Sequence, residues 1–103
     1  MVRIPAHREP THPGEMLSEE FLKPLGISQR HLADAIYVPY RQVNELVNRR
    51  RGIKASTALR LSYYFGNSPD FWISLQNRWD LYHVMRDEAK DLKRIRPLRS
   101  ESY

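Results

Sequence analysis

Apolar residues recur along this chain at three- and four-residue spacing, in segments separated by short breaks that contain Pro, Gly or Asn. In the first segment Met16, Leu17, Phe21 and Leu22 form a stripe on a helix that starts near Thr11 or His12. Pro13 suits its first turn, Glu15, Glu19 and Glu20 complement its positive half, and Pro24 with Gly26 ends it. A second helix is expected over residues 28–36, with Ser28 as N-cap, Ile27 stapled onto Leu32, and Leu32, Ala33 and Ile36 facing inward. Tyr37-Val38-Pro39 makes a turn, because Pro39 biases Val38 away from the helical region. A third helix covers residues 39–48, with Val43, Leu46 and Val47 inside.

The fourth helix, residues 56–65, opens on Ser56 or Thr57 and places Ala58, Leu59, Leu61, Ser62 and Phe65 inward, before Gly66-Asn67 stops it. Ser68 caps a long fifth helix with Pro69 at its first position and Asp70 in its first turn. Phe71, Trp72, Leu75, Trp79, Tyr82, His83 and Met85 form its stripe. No segment alternates with period two, so the expected fold is an all-α, five-helix bundle. Residues 1–11 read as an irregular arm whose Arg3 and Arg8 either reach a minor groove or have no role, residues 12–86 as one domain, and residues 87–103 as a charged helix end and tail interrupted by Pro97.

The 103 residues are 41% hydrophobic, enough for a real core. There is no Cys, which removes disulfides, thiolate catalysis and Cys-ligated zinc. His12, His31 and His83 have no metal-ligand spacing, so no metal or cofactor is expected. No apolar run is long enough to span a membrane, and the N-terminus lacks a signal-like apolar region, so a cytoplasmic protein is expected. The formal charge is +5, and its distribution matters more than its size. Residues 41–54 hold five bases (Arg41, Arg49, Arg50, Arg51, Lys54) against one acid, Glu45.

That cluster sits at the end of ISQRHLADAIYVPYRQVNELVNRRRG, residues 27–52, which reads as two short helices joined by a tight turn. A short amphipathic helix followed by a basic one is a compact device for placing a helix in the major groove. The outer face of the third helix carries Tyr, Arg, Gln and Asn, the side chains that base edges and phosphates accept.

HPGE at residues 12–15, VNELVN at 43–48 and SPDFW at 68–72, in this order and spacing, resemble the HigA antitoxins, a branch of the helix-turn-helix proteins similar to the lambda and Cro repressors. The resemblance spans about residues 12–83. It implies a lambda-repressor-like bundle, a homodimer on a palindromic operator in double-stranded DNA, autorepression of the operon, and sequestration of an mRNA-cleaving toxin of the HigB type. The chain departs from the pattern at Tyr37, where Gly is usual, at Pro39, where Ser or Thr is usual, and at Arg49, where Gly is usual.

Gln29 matches the position that contacts a phosphate and buttresses the recognition helix in such repressors. Tyr40, Arg41 and Gln42 match its base-reading start; Arg41 suits guanine and Gln42 adenine. Asn44, Glu45 and Asn48 continue that face, with Glu45 four residues after Arg41 and placed to orient it. Arg49, Arg50, Arg51 and Lys54 are phosphate candidates. Trp72 is expected in the core. Trp79, Tyr82 and Leu75 are candidates for a dimer contact, because the stripe over residues 71–85 is wider than one small bundle needs.

A stand-alone repressor without a toxin partner predicts the same DNA chemistry, and only the neighbouring gene separates the two. A small ribonuclease is the third class. It needs convergent acid–base side chains around a scissile phosphate, which no pattern here supplies, so no catalytic residue is expected.

Overall fold

The computed structural model describes residues 8–98. Arg3, and the part of the charged tail beyond residue 98, lie outside them. Among the described residues every regular element is a helix. Helix α1 runs through Pro13–Met16, widens into a π-helical stretch at Leu17–Leu22, and closes over Lys23–Leu25. It is followed by α2 (Gln29–Ile36), α3 (Tyr40–Val47), α4 (Ala55–Phe65), α5 (Pro69–Asp87) and α6 (Ala89–Arg94). Six helices therefore stand where five were expected. The charged segment after residue 87 forms one more short helix, which ends before Pro97.

The π-helical stretch left no mark on the hydrophobic pattern. Its wider turn pairs residues five apart, as in the bond from the Lys23 N–H to the Ser18 carbonyl. Leu17 and Leu22, five apart, are consequently both buried, which a regular α-turn would not allow on one face. At the start of α1 the cap is His12, whose Nδ1 accepts the Gly14 N–H at 2.9 Å. Gly14 packs against the C-terminal end of α3; a Cβ there would lie 1.8 Å from the Leu46 carbonyl oxygen. The His-Pro-Gly-Glu sequence is thus a cap, a first-turn proline and a backbone-to-backbone contact that only glycine permits.

Ser28 caps α2 as expected, accepting the His31 N–H at 3.0 Å. Pro39 is the N-cap residue of α3 rather than its first turn, and α4 begins at Ala55, one residue before the expected start. Leu17, Leu32, Leu46, Leu61 and Trp72 form the centre of the core, each fully buried. Trp72 donates its Nε1–H to Asn67 Oδ1 at 3.1 Å, which satisfies its one polar atom.

Three helices end in the same way. After α1, α2 and α3 the chain enters the left-handed region at Gly26 (φ 65°), Tyr37 (φ 60°) and Arg49 (φ 62°). In each case the next residue's N–H reaches back five positions: Ile27 to Leu22, Val38 to Ala33, Arg50 to Glu45, at 2.8–3.0 Å. Only the first of these ends uses glycine. Tyr37 and Arg49 hold the same backbone shape with a side chain attached, and together they bracket α3.

Candidate nucleic-acid interface

Helix α3 buries Val43 and Leu46, so its opposite face is left outside. Arg41 is the most exposed charged group on it, its side chain 86% accessible. The face is not a set of independent side chains. Glu45 Oε2 accepts Arg41 Nε at 2.8 Å, and Glu45 Oε1 accepts Arg51 Nε at 3.1 Å and Nη2 at 2.9 Å. One carboxylate thus joins the recognition helix to the loop after it. The hydrogen bond from Arg41, followed by that from Arg51, holds the Glu45 carboxyl below its ordinary range, and the same bond raises the Arg41 guanidinium.

A second cluster ties α3 to α2. Asn44 Nδ2 donates to Gln29 Oε1 at 3.0 Å and approaches the Tyr40 hydroxyl at 3.4 Å. The Arg30 guanidinium lies 4.7 Å over the Tyr40 ring. Gln29 therefore buttresses the recognition helix through Asn44.

Gln42 differs from a free base reader. It is half-buried and donates Nε2 to Thr57 Oγ1 at 3.1 Å, so its amide nitrogen holds α3 against α4. Asn48 folds back on its own helix, donating to the Asn44 carbonyl at 2.8 Å. Arg49 turns away from its two neighbours in sequence. Its Nη2 lies 3.3 Å from Glu9 Oε1, and its guanidinium stands 5.0 Å over the Trp79 ring. The other Glu9 oxygen is 2.9 Å from His83 Nε2, close enough to pair but not aligned as a hydrogen bond. Arg50, Arg51 and Lys54 remain exposed. The basic run thus divides into Arg50 and Lys54, which face water, Arg51, shared with Glu45, and Arg49, held by the N-terminal segment.

Four residues outside the expected site hold this surface together. Gln76 of α5 accepts the Ile53 N–H at 2.7 Å and donates to Asp80 at 2.9 Å, pinning the basic loop. Arg60 of α4 donates Nη1 to the Ile36 carbonyl at 2.7 Å and to that of Tyr37 at 3.4 Å, fixing the turn before α3. Thr57 is buried beneath Gln42. His12, besides capping α1, packs edge-on against Trp79 at 4.8 Å. Desolvation, with Arg49 next, pushes the His12 imidazole below its ordinary pKa. The sequence marked His12 and Thr57 only as helix starts and gave no signal for Arg60 or Gln76, whose partners lie more than twenty residues away.

The three residues expected at a dimer contact are largely engaged within one chain. Tyr82 is buried at 6% exposure, under the Arg86 guanidinium and against His83. Trp79 is half-buried between His12, Arg49 and His83, and Leu75 packs on the core. The middle of the stripe on α5, at Trp79, is covered by His12 and Arg49, whereas Phe71 and Met85 at its ends stay exposed. Among the described residues no group of three His, Asp or Glu could hold a metal ion, and no helix is long and apolar enough to cross a membrane.

Two short helices with a fixed turn, an outward polar face on the second and a basic loop after it define a helix-turn-helix protein. The helix-turn-helix family model matches residues 19–72. Virulence-associated protein I of Dichelobacter nodosus is 43% identical over 88% of this chain and 83% of its own length. Antitoxin HigA-1 of Vibrio cholerae is 36% identical, over 88% and 86%. The solved structure of Pseudomonas aeruginosa antitoxin HigA with the higBA promoter superimposes with a TM-score of 0.83 at 41% identity, covering 87% of this chain and 99% of that one. The chain belongs to the helix-turn-helix family, in its HigA antitoxin branch.

Proposed function

We propose that this chain is a cytoplasmic antitoxin that reads a palindromic operator in its own promoter as a homodimer, represses that operon, and neutralises a HigB-type mRNA-cleaving toxin. It acts by binding and carries out no catalysis. The observation that carries the DNA reading is the exposed face of α3, where Glu45 presents Arg41 outward while gripping Arg51. A guanidinium already held by a carboxylate loses less freedom when it meets a base edge. Arg41 then reads a base in the major groove, Tyr40 touches sugar or a thymine methyl, and Gln29, Arg50 and Lys54 contact phosphates. Gln42 and Asn44 position α3 against its neighbours. The toxin half of the proposal rests on the relatives named HigA antitoxins.

The test is footprinting on the chain's own promoter combined with co-purification of the product of the adjacent gene. Arg41→Ala should weaken operator binding about tenfold or more while barely changing binding to random DNA, whereas Arg50→Ala should weaken both alike and flatten the salt dependence by roughly one unit. Equal losses for Arg41→Ala on both DNAs would make it a phosphate contact. Repression in the absence of any co-purifying toxin would favour a stand-alone repressor.

A further inference from the structure

Arg60 directs a charged side chain at backbone. It stands on α4, yet its Nη1 donates to the Ile36 carbonyl at 2.7 Å and to the Tyr37 carbonyl at 3.4 Å. Its Nε donates to Ser56 Oγ at 3.2 Å, which helps fix the plane of the guanidinium. Ile36 is the last residue of α2, where free carbonyls and the helix dipole favour a cation. Tyr37 is the left-handed residue that follows it, at φ 60°.

The backbone at Tyr37 decides how α3 leaves the turn. A side chain with a Cβ disfavours the left-handed region. Pro39, the N-cap of α3, makes no side-chain cap bond, and α3 begins at Tyr40. Relaxation of Tyr37 toward the right-handed region would therefore swing the start of α3, and Arg41 with it. Thr57, three residues before Arg60 and so on the same face of α4, accepts Gln42 Nε2 at 3.1 Å. Helix α4 thus holds α3 at two points, the corner before it and its first turn. It can do so firmly because Ala58 and Leu61 are buried in the core.

Arg60 also lines the polar cleft that it shares with Arg51 and Lys54, where the other role open to a base is a phosphate contact. Its bond to Ile36 is the shortest hydrogen bond that any arginine makes among the described residues, which favours the intrachain role. We propose that Arg60 is a positioning residue for sequence reading. By holding Tyr37 in the left-handed region from α4, it sets the angle at which α3 presents Arg41, and it touches no DNA itself. This rests on the operator reading above.

The experiment is a double-mutant cycle on the full chain, with Arg60→Ala, Tyr37→Gly and the pair. It reads affinity for the chain's own promoter and for random DNA at several salt concentrations. Arg60→Ala should lower the ratio of the two affinities about tenfold, because it removes hydrogen bonds from a charged donor. Tyr37→Gly alone should change the ratio less than about twofold, since glycine holds the same backbone unaided. In the glycine background the loss on Arg60→Ala should shrink about fivefold, the factor by which a Cβ disfavours the left-handed region. The salt dependence should stay the same throughout, because no phosphate contact is lost.

Equal losses on both DNAs, with the salt dependence flattened by roughly one unit, would make Arg60 a phosphate contact and overturn the proposal. A loss that glycine does not reduce overturns it too. So does a variant that melts lower but keeps its ratio, as a purely structural arginine would. An Arg60→Ala chain that does not fold by itself supports the proposal if adding Tyr37→Gly restores both folding and operator preference, and overturns it otherwise. Absence of operator preference in the wild type would instead sink the operator reading. The coupling of the two sites in urea unfolding, measured without DNA, is independent of that reading.

Discussion

The two left-handed residues that bracket the recognition helix, Tyr37 before it and Arg49 after it, share a backbone shape and differ in everything that holds it. Arg49 is surrounded: Glu9 pairs with its guanidinium, and Trp79 lies beneath it. Tyr37 is supported only along its backbone, by Arg60, while its ring projects into water. A left-handed conformation costs a residue with a Cβ about 1 kcal/mol relative to glycine. At Arg49 that cost is offset inside the chain by an ion pair and a cation–π contact. At Tyr37 no ion pair or ring contact offsets it, and the ring is 85% exposed.

The comparison can be broken most directly by putting glycine at both positions. Tyr37→Gly should stabilise the dilute protein by about 1 kcal/mol in urea unfolding, since it relieves strain and removes no intrachain packing. Arg49→Gly relieves the same strain but loses Glu9 and Trp79, so its net effect should stay within about 0.5 kcal/mol of zero. Equal gains at the two sites would mean that the contacts around Arg49 contribute nothing.

A smaller effect sharpens the contrast from the Arg49 side. Glu9 occupies a base that stands next to Arg50 and Arg51, and Glu9→Gln should free it. Binding to random DNA should then strengthen, and its dependence on salt should steepen by roughly one unit if the released guanidinium finds a phosphate. An unchanged slope would show that Arg49 serves only to hold the N-terminal segment on Trp79.

The smallest effect is one of pH. Burial lowers the His12 pKa below 6.5 in the folded chain, so the folded state binds this proton less readily than the unfolded state. Its contribution is therefore fully present above pH 6.5 and declines as pH falls from there toward the lowered value. Protonation also costs the cap its acceptor for the Gly14 N–H. His12→Asn, which caps without titrating, should remove this limb from the curve of stability against pH while leaving any loss at carboxylate pH values in place. A limb that persists belongs to another group.

Much of this architecture was legible from residue pattern. Ser28 as a cap, Pro39 as the break before the recognition helix, Trp72 in the core and the outward face of α3 all follow from rules that operate within a turn or two. The π-helical stretch was hidden because Leu17 and Phe21, four apart, already make an α-helical stripe, and nothing in the pattern required Leu22 to share its face. Gly14 looked like any residue near a helix start, since its reason is the Leu46 carbonyl thirty-two positions away. The intrachain contacts of Tyr82 and Trp79 were not legible, because the pattern shows how wide a stripe is and not what the same chain lays over it.

By itself, the sequence determined where the helices lie, where they stop and which face of each is apolar, because periodicity, capping and proline geometry depend on neighbours only a few residues apart. The tertiary structure decided which polar side chains on the recognition surface are free. Gln42 meets Thr57 at a separation of 15 residues, Asn44 meets Gln29 at 15, Ile53 meets Gln76 at 23, and Arg49 meets Glu9 at 40. A hydrogen bond forms when two groups come within about 3 Å of each other in good alignment. Only the packed core, which brings distant segments together, determines which groups do so.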